Sequence, residues 1–452
     1  MTTTPPKQPL CQSLVATLTL SLIVGFCHFA SAQTPVSFRE QIAPILQEHC
    51  VACHCAKRAE GGYRLDTVEQ LIKPGDGAAS PVVASKSLES EWIVRMKHAD
   101  PDLRMPLDSE PLSQGSIDTI GQWIDQGAKL DGILPSEPLW SVIPPQTYRA
   151  PPEHYPVSLP ITAIAFTADG SQLLSSGYHE LIAWNPADGA LMSRSPNQTQ
   201  RIYSIVQAAE PTKWYVAGGT PGTLGEVRLL NRTSNLVEQV IARGPDVALD
   251  VAVRPGNQEI AVAMADNTIR IIELEKNEIR RVIASHGDWV IQLSYSDDGK
   301  RLGSASRDKS AKVADADTGE LLVSYPGHGA AVRGIASIQD GKQWISVGAD
   351  NKIHRWEVEN AKKVAEVPLG GEPAKIVKDD GSIWIPDADK HWYRFELANN
   401  AIAAKQPGHE DWVTSVAVHR GTGRLATGSI DGSIRVWNLA DGALIKAWVA
   451  KP

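Results

Sequence analysis

Hydrophobic residues follow three different patterns along this chain of 452 residues. Residues 14–30 form an almost continuous apolar run. Between residues 38 and 46 the apolar side chains are spaced by three or four residues, which predicts a short amphipathic helix, and a similar stripe recurs from 117 to 124. Beyond residue 157 the apolar runs are short and alternate with Asp-Gly turns, which predicts many β-strands.

The β-rich part of the chain is internally repeated. One position, usually large and apolar, recurs at intervals of 46, 42, 42, 42, 39 and 42 residues. Seven units of this length are typical of a seven-bladed β-propeller with four strands per blade. We therefore predict an all-β propeller over residues 157–450, in which the first two blades are inferred from spacing alone. The recurring positions are Trp184, Leu230, Ile272, Ala314, Trp356, Phe395 and Trp437.

In three units, polar residues stand at fixed distances before this position. A histidine lies 28 residues before it, a hydroxyl residue 10 before it and an aspartate 6 before it. The sets are His286, Ser304 and Asp308; His328, Ser346, Asp350 and Trp356; and His409, Thr427, Asp431 and Trp437. They resemble the structural tetrads of WD-repeat proteins, which implies hydrogen-bonded chains. Because the set recurs from blade to blade, we interpret it as part of the scaffold and not as a hydrolase triad.

The predicted ring has a candidate partner surface formed by Trp289, Arg307 and Trp412. Trp289 and Trp412 stand at equivalent positions just after tetrad histidines, and Arg307 precedes the aspartate of the same unit as Trp289. Tryptophan and arginine are enriched at binding hot spots. The resemblance to WD-repeat proteins implies a protein or peptide partner, so we predict that it contacts these residues. The alternative is that both tryptophans pack between blades.

One short motif carries definite chemistry, Cys50-x-x-Cys53-His54. Two thiols three residues apart can attach a haem through thioether bonds, and the histidine that follows them can bind the iron. Three thiols within six residues, including Cys55, do not resemble a dispersed disulfide framework, and Cys55 has no predicted partner. A redox dithiol and a zinc or copper site are the alternatives, although no second ligand cluster is evident.

The second axial ligand of such a haem should come from further along the chain. Met105 follows His54 by 51 residues, precedes Pro106 and stands just before the second predicted helix. A thioether ligand would raise the reduction potential of the haem. We predict Met105 as this ligand, with His98, Met96 or an open site as alternatives. A methionine that only fills the core is the structural alternative.

Several motifs between residues 36 and 133 agree in order with one family. They are Phe38…Ile42-x-Pro44-Ile45-Leu46, Cys50-x-x-Cys53-His54, Gly61-Gly62-Tyr63-Arg64-Leu65-Asp66-Thr67, Met105-Pro106 and Trp123-Ile124-Asp125-Gln126-Gly127-Ala128. Together they resemble the planctomycete-type cytochrome c domain, which implies one covalently bound haem c and a methionine ligand. The family usually has a second proline where this chain has Leu107. Two helices around a loop-rich middle match a small all-α cytochrome c-like fold.

The apolar run near the N-terminus has the features of a secretory signal peptide. Lys7 precedes the run, and the small residues Ala-Ser-Ala follow it at 30–32. We predict that residues 1–32 are removed and that the protein is exported to the periplasm or another extracytoplasmic compartment, where bacteria attach haem c. The alternative is an uncleaved membrane anchor, for which a run of about 17 residues is short.

Residues 134–156 contain seven prolines. Such a segment is extended and semi-stiff, so we predict a linker that holds the haem domain, residues 36–133, apart from the propeller. Two ways of closing the ring remain open. Residues 443–449 can form the outer strand of the last blade, or residues 139–143 can supply an edge strand.

Charge and composition narrow the function. The net charge is −8 and the isoelectric point is near 5.9, which disfavours nucleic acid as a partner. We predict single-electron transfer through one haem c to a redox partner protein, with no catalytic residues and no enzymatic role. A redox or gas sensor, or an interaction scaffold, is the first alternative. An oxidoreductase with its substrate in the propeller channel is the second, but no acid–base cluster supports it.

Overall fold

In the computed structural model, which describes residues 1–2, 34–55, 58–256 and 258–452, the repeated part of the chain forms seven four-stranded sheets. Within each sheet, consecutive strands pair antiparallel in chain order. The prediction of a seven-bladed β-propeller is confirmed. The predicted signal peptide lies outside the described residues, apart from Met1 and Thr2. Among the described residues, none of the helices is long and apolar enough to cross a membrane.

Each blade contributes four short strands. The strands of blades 1 to 4 are β1 Ile164–Phe166, β2 Leu173–Ser176, β3 Leu181–Trp184, β4 Leu191–Ser195, β5 Arg201–Gln207, β6 Lys213–Thr220, β7 Leu224–Asn231, β8 Leu236–Gly244, β9 Ala248–Val253, β10 Glu259–Met264, β11 Ile269–Glu273, β12 Glu278–Ile283, β13 Val290–Tyr295, β14 Arg301–Ser306, β15 Ala311–Asp315 and β16 Leu321–Tyr325. Those of blades 5 to 7 are β17 Val332–Ile338, β18 Gln343–Gly348, β19 Lys352–Glu357, β20 Lys363–Pro368, β21 Val377–Asp379, β22 Ser382–Pro386, β23 His391–Glu396, β24 Ala401–Pro407, β25 Val413–His419, β26 Arg424–Ser429, β27 Ser433–Asn438 and β28 Leu444–Val449.

The recurring apolar position lies in the third strand of every blade, and all seven of its side chains are buried. These side chains join neighbouring blades. Trp356 packs in one cluster with Val313 of blade 4, and Trp437 packs with Trp392 of blade 6. The period in the sequence therefore reflects the burial of one side chain per blade against the next blade, which removes its apolar surface from water.

The ring closes through contacts between the first and last blades. The backbone N–H of Ile161 donates to Ser429 O at 3.0 Å, and Thr414 Oγ1 donates to Ile161 O at 2.7 Å. Strand β28 is the outer strand of the last blade, which was the first of the two predicted ways of closing the ring. The other alternative is wrong, because residues 139–142 form a helix and not an edge strand.

The N-terminal region does not confirm an all-α fold. Its longest helix has 12 residues, and loops and short 3₁₀ turns make up most of the rest. A π-helical turn at Phe38–Ile42 precedes the first α-helix, and paired glycines and scattered prolines interrupt regular structure between the helices. Ser113 caps the longest helix by accepting a hydrogen bond from Ser116 N at 3.1 Å. The α-helices are α1 Ala43–His49, α2 Glu91–Met96, α3 Gln114–Asp125 and α4 Leu139–Val142.

The proline-rich segment does not hold the two regions apart, in contrast to the prediction. Leu139, Val142 and Ile143 are buried in the same apolar cluster as the residues of α1 and α3, and Tyr155 is buried in the core of blade 1. The segment carries these large apolar side chains between its prolines, and their burial is more favourable than an extended, solvated chain. Residues 36–452 accordingly group into one structural unit.

A buried ion network also fastens this segment to blade 2. The Glu226 carboxylate is fully buried and lies 2.7 Å from Arg228 and 3.1 Å from Arg243. Arg228 donates to Gln146 O at 2.7 Å, and Tyr148 Oη donates to Glu226 at 3.1 Å. Arg243 also donates to the carbonyl of Ile143 in the segment. Two arginines of the propeller therefore bind the backbone of the segment.

Candidate functional site

A cavity of about 340 Å³ lies in the N-terminal region next to α1. It brings together Cys50, His54 and Met105, three of the residues predicted to bind haem. The cavity lies within the size range of ligand pockets in proteins. The side chains that form its walls are mostly apolar and include Leu46, Tyr63, Leu65, Pro81, Trp92 and Met96.

The Cys-x-x-Cys-His motif forms a tight turn after α1. Cys50 N donates to Leu46 O at 2.9 Å, and His54 N donates to Cys50 O at 3.1 Å. Burial, with a smaller contribution from the neighbouring Cys53 thiol, raises the pKa of Cys50 to about 12. Cys53 is half-buried and is not among the residues that line the cavity. The turn thus directs one thiol and the imidazole into the cavity and leaves the second thiol beside it.

Two methionines reach the cavity. Met105 lines it, and its backbone N–H donates to Arg95 O at 3.1 Å, which ties the Met105 loop to α2. Met96 lines the cavity as well. His98 does not line it, and its Nδ1 instead accepts a hydrogen bond from Asp100 N at 3.1 Å. Of the three residues considered for the second axial position, Met105 and Met96 line the cavity and His98 does not.

The donor set fits a haem c. Thioether attachment needs two cysteines, and Cys50, Cys53 and Cys55 are all free thiols. An imidazole and a thioether can together form an axial pair, and His54 and Met105 offer these groups in the same cavity. When bound there, a haem would supply a one-electron couple between ferric and ferrous iron.

The aromatic walls of the cavity were not identified as functional residues from the sequence. Tyr63 Oη donates to Leu71 O at 2.7 Å and accepts a hydrogen bond from Trp92 Nε1 at 2.8 Å. The His54 and Tyr63 rings meet edge to face with centroids 5.4 Å apart. The Gly-Gly-Tyr sequence at 61–63 was the available indication, because paired glycines beside a metal-binding motif suggest a close approach of the backbone.

The predicted tetrads of blades 4 and 5 are assembled as hydrogen-bonded chains. In blade 5, His328 Nε2 lies 2.9 Å from Ser346 Oγ, and Trp356 Nε1 donates to the same hydroxyl at 3.1 Å. His328 Nδ1 lies 3.0 Å from Asp350. Blade 4 repeats the histidine contacts with His286 Nε2 2.7 Å from Ser304 Oγ and Nδ1 2.9 Å from Asp308. Both serine hydroxyls are buried. Burial suits a hydrogen bond of the scaffold, whereas a nucleophile must be accessible to its substrate.

The tetrad of blade 7 departs from this pattern. Thr427 Oγ1 lies 2.8 Å from His409 Nε2 and accepts from Trp437 Nε1 at 2.9 Å. However, His409 Nδ1 lies 2.6 Å from Ser433 Oγ. The Asp431 carboxylate is 4.0 Å from the same nitrogen. The serine therefore stands between histidine and aspartate, which spacing alone did not predict.

The candidate partner residues are on the surface. Trp289 is 37% exposed and Trp412 is 50% exposed, so neither is fully packed between blades. The Arg307 guanidinium lies 4.5 Å from the centre of the Trp289 ring and 2.9 Å from Asp288. The pair offers a flat, partly hydrated surface of the kind found at binding hot spots.

Trp412 also borders a cavity of about 310 Å³ at one mouth of the propeller channel. One residue from near the start of each first strand contributes to this mouth: Thr162, Tyr203, Leu249, Ile291, Arg333, Lys375 and Thr414. Behind it, Lys375 Nζ donates to Tyr203 O at 2.5 Å, Leu249 O at 3.0 Å and Asp250 Oδ1 at 3.1 Å. The lysine thus spans the channel from blade 6 to blades 2 and 3, and it borders a cavity of about 140 Å³.

The N-terminal region and this channel mouth share one face of the ring. Gln47 of α1 donates to the carbonyl of Thr223, in the turn between β6 and β7. Arg201 at the start of β5 pairs with Gly219 at the end of β6. The turn after β6 therefore lies at the edge of blade 2 where its first strand, β5, begins. The first strands of all seven blades begin at the channel mouth, which places the region beside it.

Comparisons with known proteins found a matching family model in each of the two parts of the chain. Residues 50–108 match the family model for Planctomycete cytochrome C, a span that includes the haem motif and Met105. Residues 277–315, 319–357 and 402–438 match the model for the WD domain, G-beta repeat. Each of these three repeats covers the last strand of one blade and three strands of the next. No curated protein matches the chain. The first match implies haem binding, and the second implies protein interaction.

Proposed function

We propose that this chain is an exported c-type haem protein that transfers single electrons to a partner docked on its propeller. Cys50 and Cys53 would hold one haem covalently, and His54 and Met105 would be its axial ligands. The observation that carries this proposal is that Cys50, His54 and Met105 line one largely apolar cavity. A site with both axial positions filled by protein stabilises two oxidation states and leaves no place for a substrate.

The residues around the cavity support electron transfer in two ways. The many apolar side chains in the walls lower the local dielectric, which favours the less charged form of a bound iron centre. The Tyr63–Trp92 hydrogen bond fixes one wall, so little rearrangement accompanies a change of charge. Small reorganisation is the property that a carrier of single electrons requires.

A protein partner is supported by the face that the two parts of the chain share. Trp412 and the apolar residues of the channel mouth lie on the face against which α1 rests. A partner seated there would sit beside the haem region. We infer that the propeller selects the partner and the N-terminal region exchanges the electron.

Export is the remaining part of the proposal. It is supported by the apolar run and the Ala-Ser-Ala sequence at 30–32, and by the compartment in which bacteria attach haem c. The periplasm is the expected location. N-terminal sequencing of protein recovered from periplasm should begin at Gln33, and a chain that begins at Met1 in the cytoplasm would contradict export.

Optical spectroscopy of the protein matured with haem tests the function directly. We expect a low-spin spectrum, a weak near-infrared band in the oxidised form, and porphyrin that resists extraction with acidified acetone. Met105→Ala should abolish that band and lower the reduction potential, because thioether ligation raises it. Met96→Ala is the matched control, since Met96 lines the same cavity, and should leave the band in place.

Three results would change the conclusion. Loss of the band in Met96→Ala but not in Met105→Ala would assign the ligand to Met96. A carbon monoxide complex of the reduced wild-type protein would favour a gas sensor over an electron carrier. Absence of covalent porphyrin would remove the redox function altogether.

A further inference from the structure

A second cavity, of about 460 Å³, lies between α1, the proline-rich segment and the first two blades of the propeller. We call it the junction cleft. Helix α1 separates it from the proposed haem site, because Gln47 lines the junction cleft and Leu46 lines the other cavity. The two cavities share no residue. The volume of the junction cleft lies in the range of ligand pockets in proteins, and the proposed electron transfer gives it no role.

Neutral polar side chains dominate the walls of the junction cleft. Amides and hydroxyls both donate and accept hydrogen bonds, so they suit a ligand that does the same. Gln146 and Thr223 bond to the rest of the protein through their backbone carbonyls. Within the described part of the chain, the side chains of Gln146, Gln200 and Thr220 make no hydrogen bond and are therefore available to a ligand. The amide and hydroxyl residues of the walls are Gln47, Gln146, Gln200, Thr147, Thr220 and Thr223.

The Gln47 amide is the most informative group in these walls. Gln47 is 3% exposed, and its Nε2 donates to the carbonyl of Thr223, which fixes the amide plane. Its Oε1 is buried and has no hydrogen-bond partner among the residues that the structure describes. A buried carbonyl oxygen without a partner is unfavourable, so a ligand that donates an O–H to Gln47 would be stabilised there.

His179 of blade 1 supplies a second acceptor. It is buried, and its Nδ1 lies 3.1 Å from the carbonyl oxygen of Gln198. A carbonyl oxygen only accepts, so Nδ1 carries the proton and Nε2 is the accepting nitrogen. Burial lowers the pKa of His179, so the ring is neutral at pH 7. The backbone of His179 is left-handed, with φ of +60°, which is uncommon for a residue other than glycine.

The charges at the junction cleft are balanced. Its two charged residues, Glu48 and Arg149, are exposed and of opposite sign, so neither an anion nor a cation gains a net attraction. Tyr148 and Tyr178 add ring carbons to the walls. The Arg149 guanidinium lies 5.2 Å from the centre of the Tyr178 ring and donates to its hydroxyl. These walls match an uncharged ligand that has many hydroxyls and some C–H surface.

We propose that the junction cleft binds a neutral sugar. Hydroxyls of the sugar donate to Gln47 Oε1 and His179 Nε2 and accept from the Gln200 amide and the Thr220 hydroxyl. Its C–H groups lie against the tyrosine rings of the walls. This binding site goes beyond the proposed function and does not depend on it, because no residue of the haem cavity takes part.

Isothermal titration calorimetry of the full chain provides the first test. The probes are glucose, galactose, mannose and cellobiose, with glucuronate as a charged sugar and free alanine as a zwitterion. We expect saturable binding of at least one neutral sugar, in the millimolar range or tighter, and weaker binding of glucuronate and alanine. The inference is overturned if no neutral sugar binds saturably, or if glucuronate or alanine binds more tightly than every neutral sugar.

Gln200→Met locates the bound sugar. It removes the amide but keeps the length of a half-buried side chain that makes no hydrogen bond within the described residues, so the fold should persist. We expect affinity for the sugar to fall about 3- to 10-fold, because one or two hydrogen bonds are lost. Gln406→Met is the matched control, since Gln406 is half-buried in β24 of blade 6 and does not line the cleft. Equal losses in the two variants would contradict the assignment.

Gln47→Met tests the buried acceptor itself. We expect a loss of roughly tenfold or more, because the group that pairs with the sugar is desolvated before binding. If this variant fails to fold, Thr220→Val replaces it, since valine has the shape of threonine without the hydroxyl and should weaken binding about 3- to 10-fold. Wild-type affinity in Gln200→Met together with wild-type affinity in the second variant would place the sugar elsewhere and refute the inference. Failure to attach haem would refute the electron carrier and leave these titrations unaffected.

Discussion

At the scale of single residues, Asp387 is a carboxylate in an unfavourable environment. It is fully buried, and its Oδ1 accepts one hydrogen bond, from Asp389 N at 2.9 Å. Its Oδ2 is buried with no hydrogen-bond partner within the described chain. Burial raises the pKa of Asp387, and the charge of the Asp389 carboxylate adds to that rise. Such a group is more stable protonated than ionised.

The sign of the pH dependence follows from this shift. The folded pKa lies above the unfolded value, so the folded state holds a proton that the unfolded state releases, and stability is lost as pH rises through the folded pKa. Asp387→Asn should therefore stabilise the protein by roughly 1–3 kcal/mol at pH 8 and much less near pH 4, since one pKa unit corresponds to about 1.4 kcal/mol. Urea unfolding across this pH range measures the difference.

Asp340→Asn is the control for this prediction. Asp340 is an exposed turn residue with φ of +52°, a conformation that asparagine accepts readily. It should show no comparable pH-dependent gain. A stability difference between Asp387→Asn and the wild type that stays constant with pH would mean that Asp387 is ionised in the folded protein.

At the scale of elements, the tetrads join a loop to two strands within a blade. In blade 7, His409 precedes β25, Thr427 belongs to β26 and Trp437 to β27, so one chain of hydrogen bonds connects three successive elements. Burial lowers the pKa of His409 to about 4, so the imidazole is neutral at physiological pH. A neutral ring can donate from one nitrogen and accept at the other, as this chain requires.

His409→Ala should lower the free energy of unfolding by about 1–3 kcal/mol, because it leaves the buried Thr427 hydroxyl with one partner fewer. Denaturant unfolding measures this, and the haem spectrum should not change. His154→Ala, at an exposed position, should be neutral. Stability equal to the wild type would argue against a structural role for this tetrad.

At the scale of the whole molecule, the buried network around Glu226 decides how the two regions are joined. Arg228 is 1% exposed and reaches the carbonyl of Gln146, while its guanidinium lies 4.4 Å from the centre of the Tyr148 ring. The equivalent position of blade 3 is Arg270, which lies 4.8 Å from the Trp140 ring. Two neighbouring blades therefore hold the connecting segment with the same kind of contact, and the haem region should not swing freely.

Arg228→Met tests this junction. Removing one partner of a buried ion pair costs about 3–5 kcal/mol, because the Glu226 charge stays buried with less compensation. We expect one calorimetric transition in the wild type and two in Arg228→Met, with faster proteolysis between residues 143 and 156 in the variant. Lys213→Ala removes the surface pairs of Lys213 with Glu210 and Glu238 and should change stability by less than about 1 kcal/mol. A single transition in Arg228→Met would mean that the network does not couple the regions.

Much of the fold and the core of the candidate site could be predicted from the sequence because their causes are local or periodic. Each blade buries one third-strand side chain at the same place, so the period appears even where Ala314 replaces the tryptophan. The proposed haem attachment needs two thiols and an imidazole within one turn of chain, and Cys50, Cys53 and His54 offer these groups next to one another.

Tertiary structure alone decided the features that depend on distant residues. The contact from the Arg228 side chain to the Gln146 carbonyl spans 82 positions, and neither residue belongs to a sequence pattern that could have revealed it. The same holds for the Trp92–Tyr63 hydrogen bond across 29 positions, for Ser433 beside His409, and for the packing of the proline-rich segment. The sequence by itself determined the bladed ring and the haem-binding motif, because periodic burial and covalent attachment act over short stretches. Only the fold decided how the two regions meet and which walls surround Cys50, His54 and Met105, because burial and charge pairing depend on which surfaces come together.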